Sequence, residues 1–196
     1  MFLKKNIFFL PLLVIFGCDS GLDDVDGGSS VDPSCAEAAT RSDLEFVQDE
    51  IFTKSCANAS ACHQGDARFA AGLNLEEGLA LGNLYLVPST LVERLGQDLS
   101  LVTPGDPENS YLQLIIDNSR PELILPSAGV MPFRQEPLCD EKLGAVSRWI
   151  ESLPTTTACS DGIDNDGDGL IDFDSDPAAG DPGCSSLADD DEADPA

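Results

Sequence analysis

Chemistry in this chain would start at its single histidine. His63 closes the run Cys56-Ala-Asn-Ala-Ser-Ala-Cys62-His63, and the 196 residues hold no other imidazole. Two thiols with an imidazole directly after the second are the grouping that c-type haem attachment requires. The thiols add across the two vinyl groups, and the next residue ligates the iron. Apart from Met1, the one methionine is Met131, in Gly129-Val130-Met131-Pro132. A thioether on the far side of the iron is the commonest partner of histidine in electron-carrying cytochromes. His63 and Met131 are therefore the candidate axial ligands, and Cys56 and Cys62 the candidate attachment points. Five residues separate the two cysteines, where two is the usual spacing. A longer bulge still lets both thiols reach the vinyls. The competing reading is a small-loop disulfide between Cys56 and Cys62 in a domain without haem. Zinc ranks third, because two cysteines and one histidine lack a fourth protein ligand.

A second chemistry is written in carboxylates. Asp164, Asp166, Asp168 and Asp172 fall at positions 1, 3, 5 and 9 of a calcium loop, with Gly169 at position 6. Alternate carboxylates converge on one ion where a tight turn brings every second side chain inward, and the Leu170 carbonyl can add a backbone ligand. Position 12 is Ser175 rather than glutamate, so this is not a complete EF-hand. Asp161, Asp174 and Asp176 are further candidates. The competing reading is a solvated acidic tail.

The elements that must position these groups follow from pattern. Ser42-Asp43 is placed to cap a helix through Leu44, Val47, Ile51 and Phe52 that runs to about Lys54 and delivers Cys56 to its end. Residues 56–72 read as loop, Leu73-Asn74-Leu75 as extended, and 76–84 as a short helix. After the turn cluster Val102-Thr103-Pro104-Gly105-Asp106-Pro107, Glu108 or Asn109 opens a helix through Leu112, Leu114, Ile115 and Ile116, and 118–138 is loop. Asp140 is placed to cap a last helix with Leu143, Val146, Trp149, Ile150 and Leu153 on one stripe. The expectation for Trp149 is a buried aromatic. So little helix among so much loop would gain from disulfides or a cofactor as extra core.

Charge narrows the functions. Ten basic residues face 36 acidic ones, a net charge of −26, which excludes binding to nucleic-acid backbones or an electrostatic grip on anionic lipid. Residues 159–196 hold thirteen acids and no base, and residues 19–33 five acids and no base. One histidine, placed directly after a cysteine, leaves no orthodox catalytic triad, so an electron carrier or binding protein is expected rather than an enzyme.

The seven cysteines are an odd number. Met1 to Lys5 is a short basic start, and Asn6 to Phe16 is an apolar run broken only by Pro11, too short to span a bilayer. Val14-Ile15-Phe16-Gly17-Cys18 resembles the bacterial lipoprotein box, which implies diacylglycerol on Cys18 and six remaining cysteines. Cys159 and Cys184 bracket the tail module, and Cys35 and Cys139 stand at the two ends of the middle domain. Six cysteines allow fifteen pairings, and sequence does not choose among them.

Residues 44–153 resemble the small cytochrome c-like domains of exported bacterial proteins. The resemblance rests on the helix into Cys56–His63, Gly72-Leu73-Asn74-Leu75, Val102-Thr-Pro104-Gly105-Asp106-Pro107-Glu-Asn-Ser110-Tyr-Leu112, Met131-Pro132 and Trp149-Ile150. The tail resembles Asp-rich calcium repeats of extracellular modules. Together they imply an all-α chain: a class I cytochrome c-like domain with long loops, and a small irregular C-terminal module stabilised by disulfide and calcium. The expected organisation is a signal peptide over 1–17, a lipidated flexible linker over 18–40, the cytochrome c-like domain over 41–155 and the calcium module over 156–196. The expected function is electron transfer by one haem c, with calcium in the tail. The expected setting is a lipid-anchored protein facing the periplasm or cell surface, with a redox protein as partner. The alternative is a haem-free, disulfide-stabilised surface lipoprotein serving adhesion or assembly.

Overall fold

The computed structural model describes residues 32–174 and 180–193. The signal segment, Cys18, most of the linker, Ser175 and Asp176 lie outside the described residues. Among the described residues there are six α-helices: α1 (Pro33–Ala38), α2 (Leu44–Val47), α3 (Ala80–Leu84), α4 (Thr90–Glu93), α5 (Tyr111–Asp117) and α6 (Asp140–Ser152). Among the described residues there are no strands, only the isolated bridges Tyr85–Val102 and Pro88–Ser100. The chain is thus helical, with its helices short and its loops long.

Asp43 caps α2, its carboxylate accepting from the Phe46 N–H at 3.0 Å. The helix then widens without a break into π-type turns over Gln48–Cys56. This longer helical run carries Phe46, Val47, Ile51 and Phe52 into the core. There the Phe52 ring meets the edge of Trp149 from α6, centroids 5.8 Å apart and planes at 81°, a favoured T-shaped geometry. Trp149 is core, as its position on the α6 stripe required.

The turn cluster is a knot of local bonds. Gly105 adopts φ +75°, a conformation that suits glycine, and its N–H donates to the Ile150 carbonyl of α6. Asp106 accepts from the Asn109 N–H. Ser110 is fully buried; its hydroxyl accepts from the Thr103 N–H and donates to the Asp106 carbonyl, each at 2.8 Å. These bonds hold α5 against α6.

Two boundaries differ from expectation. The linker does not run to residue 40: Pro33–Ala38 forms α1, capped by Asp32 and joined to the start of α6 by the Cys35–Cys139 disulfide. The nearly buried Lys142 of α6 donates to Asp32 at 2.7 Å and to the Glu50 carbonyl at 3.2 Å, so α1 belongs to the domain. Likewise α4 appears in a stretch to which the sequence reading assigned no element, and the expected helix over 76–84 shortens to α3. Asp140 is the first residue of α6 rather than its cap; Cys139 occupies the cap position.

Candidate functional site

The second turn-rich segment, 57–75, is folded back on the end of the α2 run. The His63 N–H donates to the Cys56 carbonyl, the Leu75 N–H donates to the His63 carbonyl, and Gln48 reaches across to the Leu75 carbonyl. Gly72 at φ +81° turns the chain, and the next carbonyl, that of Leu73, stands 2.9 Å from His63 Nδ1. A carbonyl can only accept, so Nδ1 carries the proton and Nε2 keeps its lone pair. Burial lowers the His63 pKa, against a smaller opposing effect of the Leu73 hydrogen bond. The ring is therefore neutral at pH 7. A neutral imidazole oriented through Nδ1–H to a backbone carbonyl is the arrangement in which histidine serves as a metal ligand.

His63 lines a cavity of about 450 Å3, within the rough 300–1,000 Å3 span of small-molecule and cofactor sites. Cys56, Cys62 and Met131 line it too. Leu75, Leu84, Leu112 and Ile116 supply apolar wall. Although the chain is strongly charged, among the described residues no Asp, Glu, Lys or Arg borders this space. Met131 packs partly buried against the core, and its N–H donates to the Ile115 carbonyl of α5, which fixes the loop that brings it in. All four residues picked out by sequence as haem contacts thus share one uncharged, apolar cavity.

The two cysteines are not bonded to each other. Cys56 is a buried free thiol, and burial pushes its pKa up to about 12, so the thiol is neutral at pH 7. Cys62 is disulfide-bonded. The small-loop Cys56–Cys62 disulfide is therefore corrected: Cys56 lies at the buried end of a helical run, on the cavity wall. Two other side chains on this wall were not singled out by sequence. The hydroxyls of Ser89 and Tyr111 are buried and have no hydrogen-bond partner.

In the tail, Cys159–Cys184 closes the module. Asp164, Asp166 and Asp168 bring a carboxylate oxygen each to within 4.8 Å of one another. Asp164 also accepts from the Gly167 and Gly169 N–H groups, which curls the loop around it. Asp172 does not join them. It sits at φ +56°, and its carboxylate accepts from the N–H groups of Asp161 and Gly162 at 3.1 and 2.9 Å. Glu192, unmarked by any motif, is only 2 % exposed and accepts from the N–H groups of Asn165 and Asp172, tying the last described residues across the loop. Asp181 is also buried, with one carboxylate oxygen unpartnered; burial chiefly, with the nearby charges of Asp168, Asp166 and Glu192, raises its pKa.

No protein-family model, no curated protein and no solved structure matches this chain.

Proposed function

We propose that the helical domain is a cytochrome c-like haem domain and that the chain is an exported, lipid-anchored electron carrier. The observation that carries this reading is the cavity: one uncharged apolar space bordered by Cys56, Cys62, His63 and Met131. His63 would hold the iron through Nε2 and Met131 through its sulfur, with Cys56 and Cys62 as the points of covalent attachment. When bound, haem iron supplies one-electron redox chemistry.

The chain's own part is to bind and shield. The Leu73 carbonyl fixes the His63 tautomer, and burial keeps the ring neutral, so a lone pair is ready for metal at pH 7. The Ile115 carbonyl anchors the Met131 loop from the opposite element. With both His63 and Met131 holding it, the haem group would be kept from binding a substrate, which favours electron transfer over an enzyme. Thioether formation consumes thiols, so attachment at Cys62 needs that residue reduced first. Lipidation at Cys18 and the signal segment before it complete the reading and would place the domain at a membrane surface.

The test is direct. Produced in a host that attaches haem, the chain should carry a covalent haem through denaturing electrophoresis, lost in Cys56→Ala/Cys62→Ala. Met131→Ala should open the iron to carbon monoxide. A colourless protein of unmodified mass would overturn the reading and favour the haem-free surface lipoprotein.

A second reading concerns the tail. The convergence of Asp164, Asp166 and Asp168 supports a calcium site, to which the Leu170 carbonyl would contribute. Asp172 would act there through the turn it caps rather than as a ligand. Calcium titration calorimetry should show binding in the 10⁻⁴ to 10⁻³ M range of extracellular modules, roughly. Asp166→Asn should weaken it and Asp98→Asn should not; equal effects would leave the tail as a solvated acidic run.

A further inference from the structure

Large apolar side chains left on a surface usually stand singly, and a group of them rimmed by charge marks a place of interaction. Two such groups occur among the described residues, and they carry opposite charge. In the first, Phe69 is 74 % and Phe133 41 % exposed, and both border the cavity at its solvent side. Val130 adds a third exposed side chain in the Phe133 loop. The Phe133 ring lies against Gly129, where an added Cβ would stand 3.3 Å from it. Each ring carries a guanidinium on its face: Arg68 lies 5.0 Å from the centre of Phe69, and Arg134 5.0 Å from that of Phe133. Arg41, Lys54, Arg120 and Lys142 are ion-paired, whereas among the described residues Arg68 and Arg134 pair with no carboxylate.

The second group is on the tail loop. Ile163 and Ile171 are 57 % and 52 % exposed. Beside and between them stand Asp161, Asp164, Asp166, Asp168 and Asp172, and residues 159–196 contain no base. The bonds of Asp164 and Asp172 to loop N–H groups fix the backbone here, and still neither isoleucine is covered. Within one molecule the two groups do not cover each other, so both are open to another chain.

We infer that the face formed by Phe69 and Phe133 receives the Ile163–Ile171 loop of a second copy of this chain, so that copies associate head to tail. The isoleucines cover the phenylalanine rings, and Arg68 and Arg134 meet the carboxylates of the loop. Charge selects this pairing, because face on face or loop on loop would set like charges together. Contact between unlike surfaces leaves each copy a face or a loop for the next. The inference goes beyond the haem and calcium readings and depends on neither.

The test is sedimentation of the full chain at about 0.15 M salt, where a Debye length of about 8 Å screens the net charge of −26 between copies and spares direct contacts. The average mass should rise with concentration. Phe69→Ser/Phe133→Ser and Ile163→Ser/Ile171→Ser should each weaken association at least about tenfold, the effect of losing one buried apolar side chain. Mixed together, the two variants should associate again and stop at a heterodimer, because one supplies an intact loop and the other an intact face. That recovery also shows that both variants are folded. A wild type that stays monomeric into the millimolar range, a variant that associates as the wild type does, or a mixture that recovers nothing would overturn the inference.

Discussion

Removing the Cys35–Cys139 bridge as Cys35→Ala/Cys139→Ala separates what α1 gains from covalent closure and what it gains from packing. The bridge spans 104 residues. In the chain-entropy model a loop of that length raises stability by about 4.7 kcal/mol, almost wholly by restricting the unfolded chain. The noncovalent ties stay in place: Lys142 to Asp32, Lys142 to the Glu50 carbonyl, and Arg148 of α6 to the Ala38 carbonyl. The variant should therefore keep its native circular dichroism. It should lose roughly 3–5 kcal/mol in urea, with a larger m-value because the denatured ensemble expands. If the proposed haem reading holds, haem binding at saturating ligand should be unchanged, since neither cysteine borders the cavity. A loss under about 1 kcal/mol, or a loss with an unchanged m-value, would refute the reasoning. The first outcome would mean that the unfolded chain is held compact by other contacts, and the second that the bridge acts in the folded state.

Opening Cys159–Cys184 should cost less, about 3.5 kcal/mol for its 25-residue separation, with proteolysis confined to the tail as the readout. Ser110→Ala should destabilise by about 1–3 kcal/mol, because the half-buried Thr103 N–H loses its acceptor and the buried Ser110 site its two hydrogen bonds; a change within about 0.5 kcal/mol in thermal melts would contradict that role. The hydrogen bond from Lys142, followed by that from Ser34, lowers the Asp32 pKa from 3.8 to about 2. The folded value lies below the unfolded one, so its stabilisation is present above about pH 4 and fades as pH falls towards 2. Half-exposure of Asp32 keeps the effect below about 1 kcal/mol, and Lys142→Met should flatten that acid limb in pH-dependent urea titrations. An acid limb identical to wild type would show that the pair is not its source.

How much of this was readable in one dimension depends on where each interaction closes. Asp43 and the Val102–Leu112 cluster act within a few residues of themselves: Asp43 caps three residues on, and Ser110 bonds Thr103 and Asp106. Side-chain type and spacing carry such roles. The start of α1 was also written locally, as Asp32 followed by Pro33, a cap and a first-turn proline. The acid-rich, base-free stretch around it favoured a linker. Residues of α6 more than 100 positions away, Cys139, Lys142 and Arg148 among them, give α1 something to pack on. The orphan hydroxyls of Ser89 and Tyr111 leave no trace in sequence at all. An unpaired group is defined by what does not surround it, and each residue alone reads as an ordinary loop serine and helix tyrosine.

The tail shows the same limit from the opposite side. Its aspartates recur at positions 1, 3, 5 and 9, and spacing alone assigns them one role. Three of them do converge, because Gly167 and Gly169 let the chain curl until their N–H groups meet the Asp164 carboxylate. The fourth is diverted because the free N–H groups of Asp161 and Gly162 lie closer to hand, and a left-handed backbone at Asp172 aims its carboxylate at them. A carboxylate accepts hydrogen bonds as readily as it binds a cation, so a Asp-rich pattern specifies a supply of acceptors and leaves their allocation to the turn. Glu192 completes that allocation from 20 residues beyond Asp172, in a run of acids that looked interchangeable. Its burial against two backbone donors separates it from them, and this makes Glu192→Gln the sharper probe of tail folding. The amide keeps one acceptor and loses the charge-assisted bonds. Protease resistance of the tail should therefore fall in that variant while Asp191→Asn leaves it unchanged, and equal resistance in the two would return Glu192 to the solvated run.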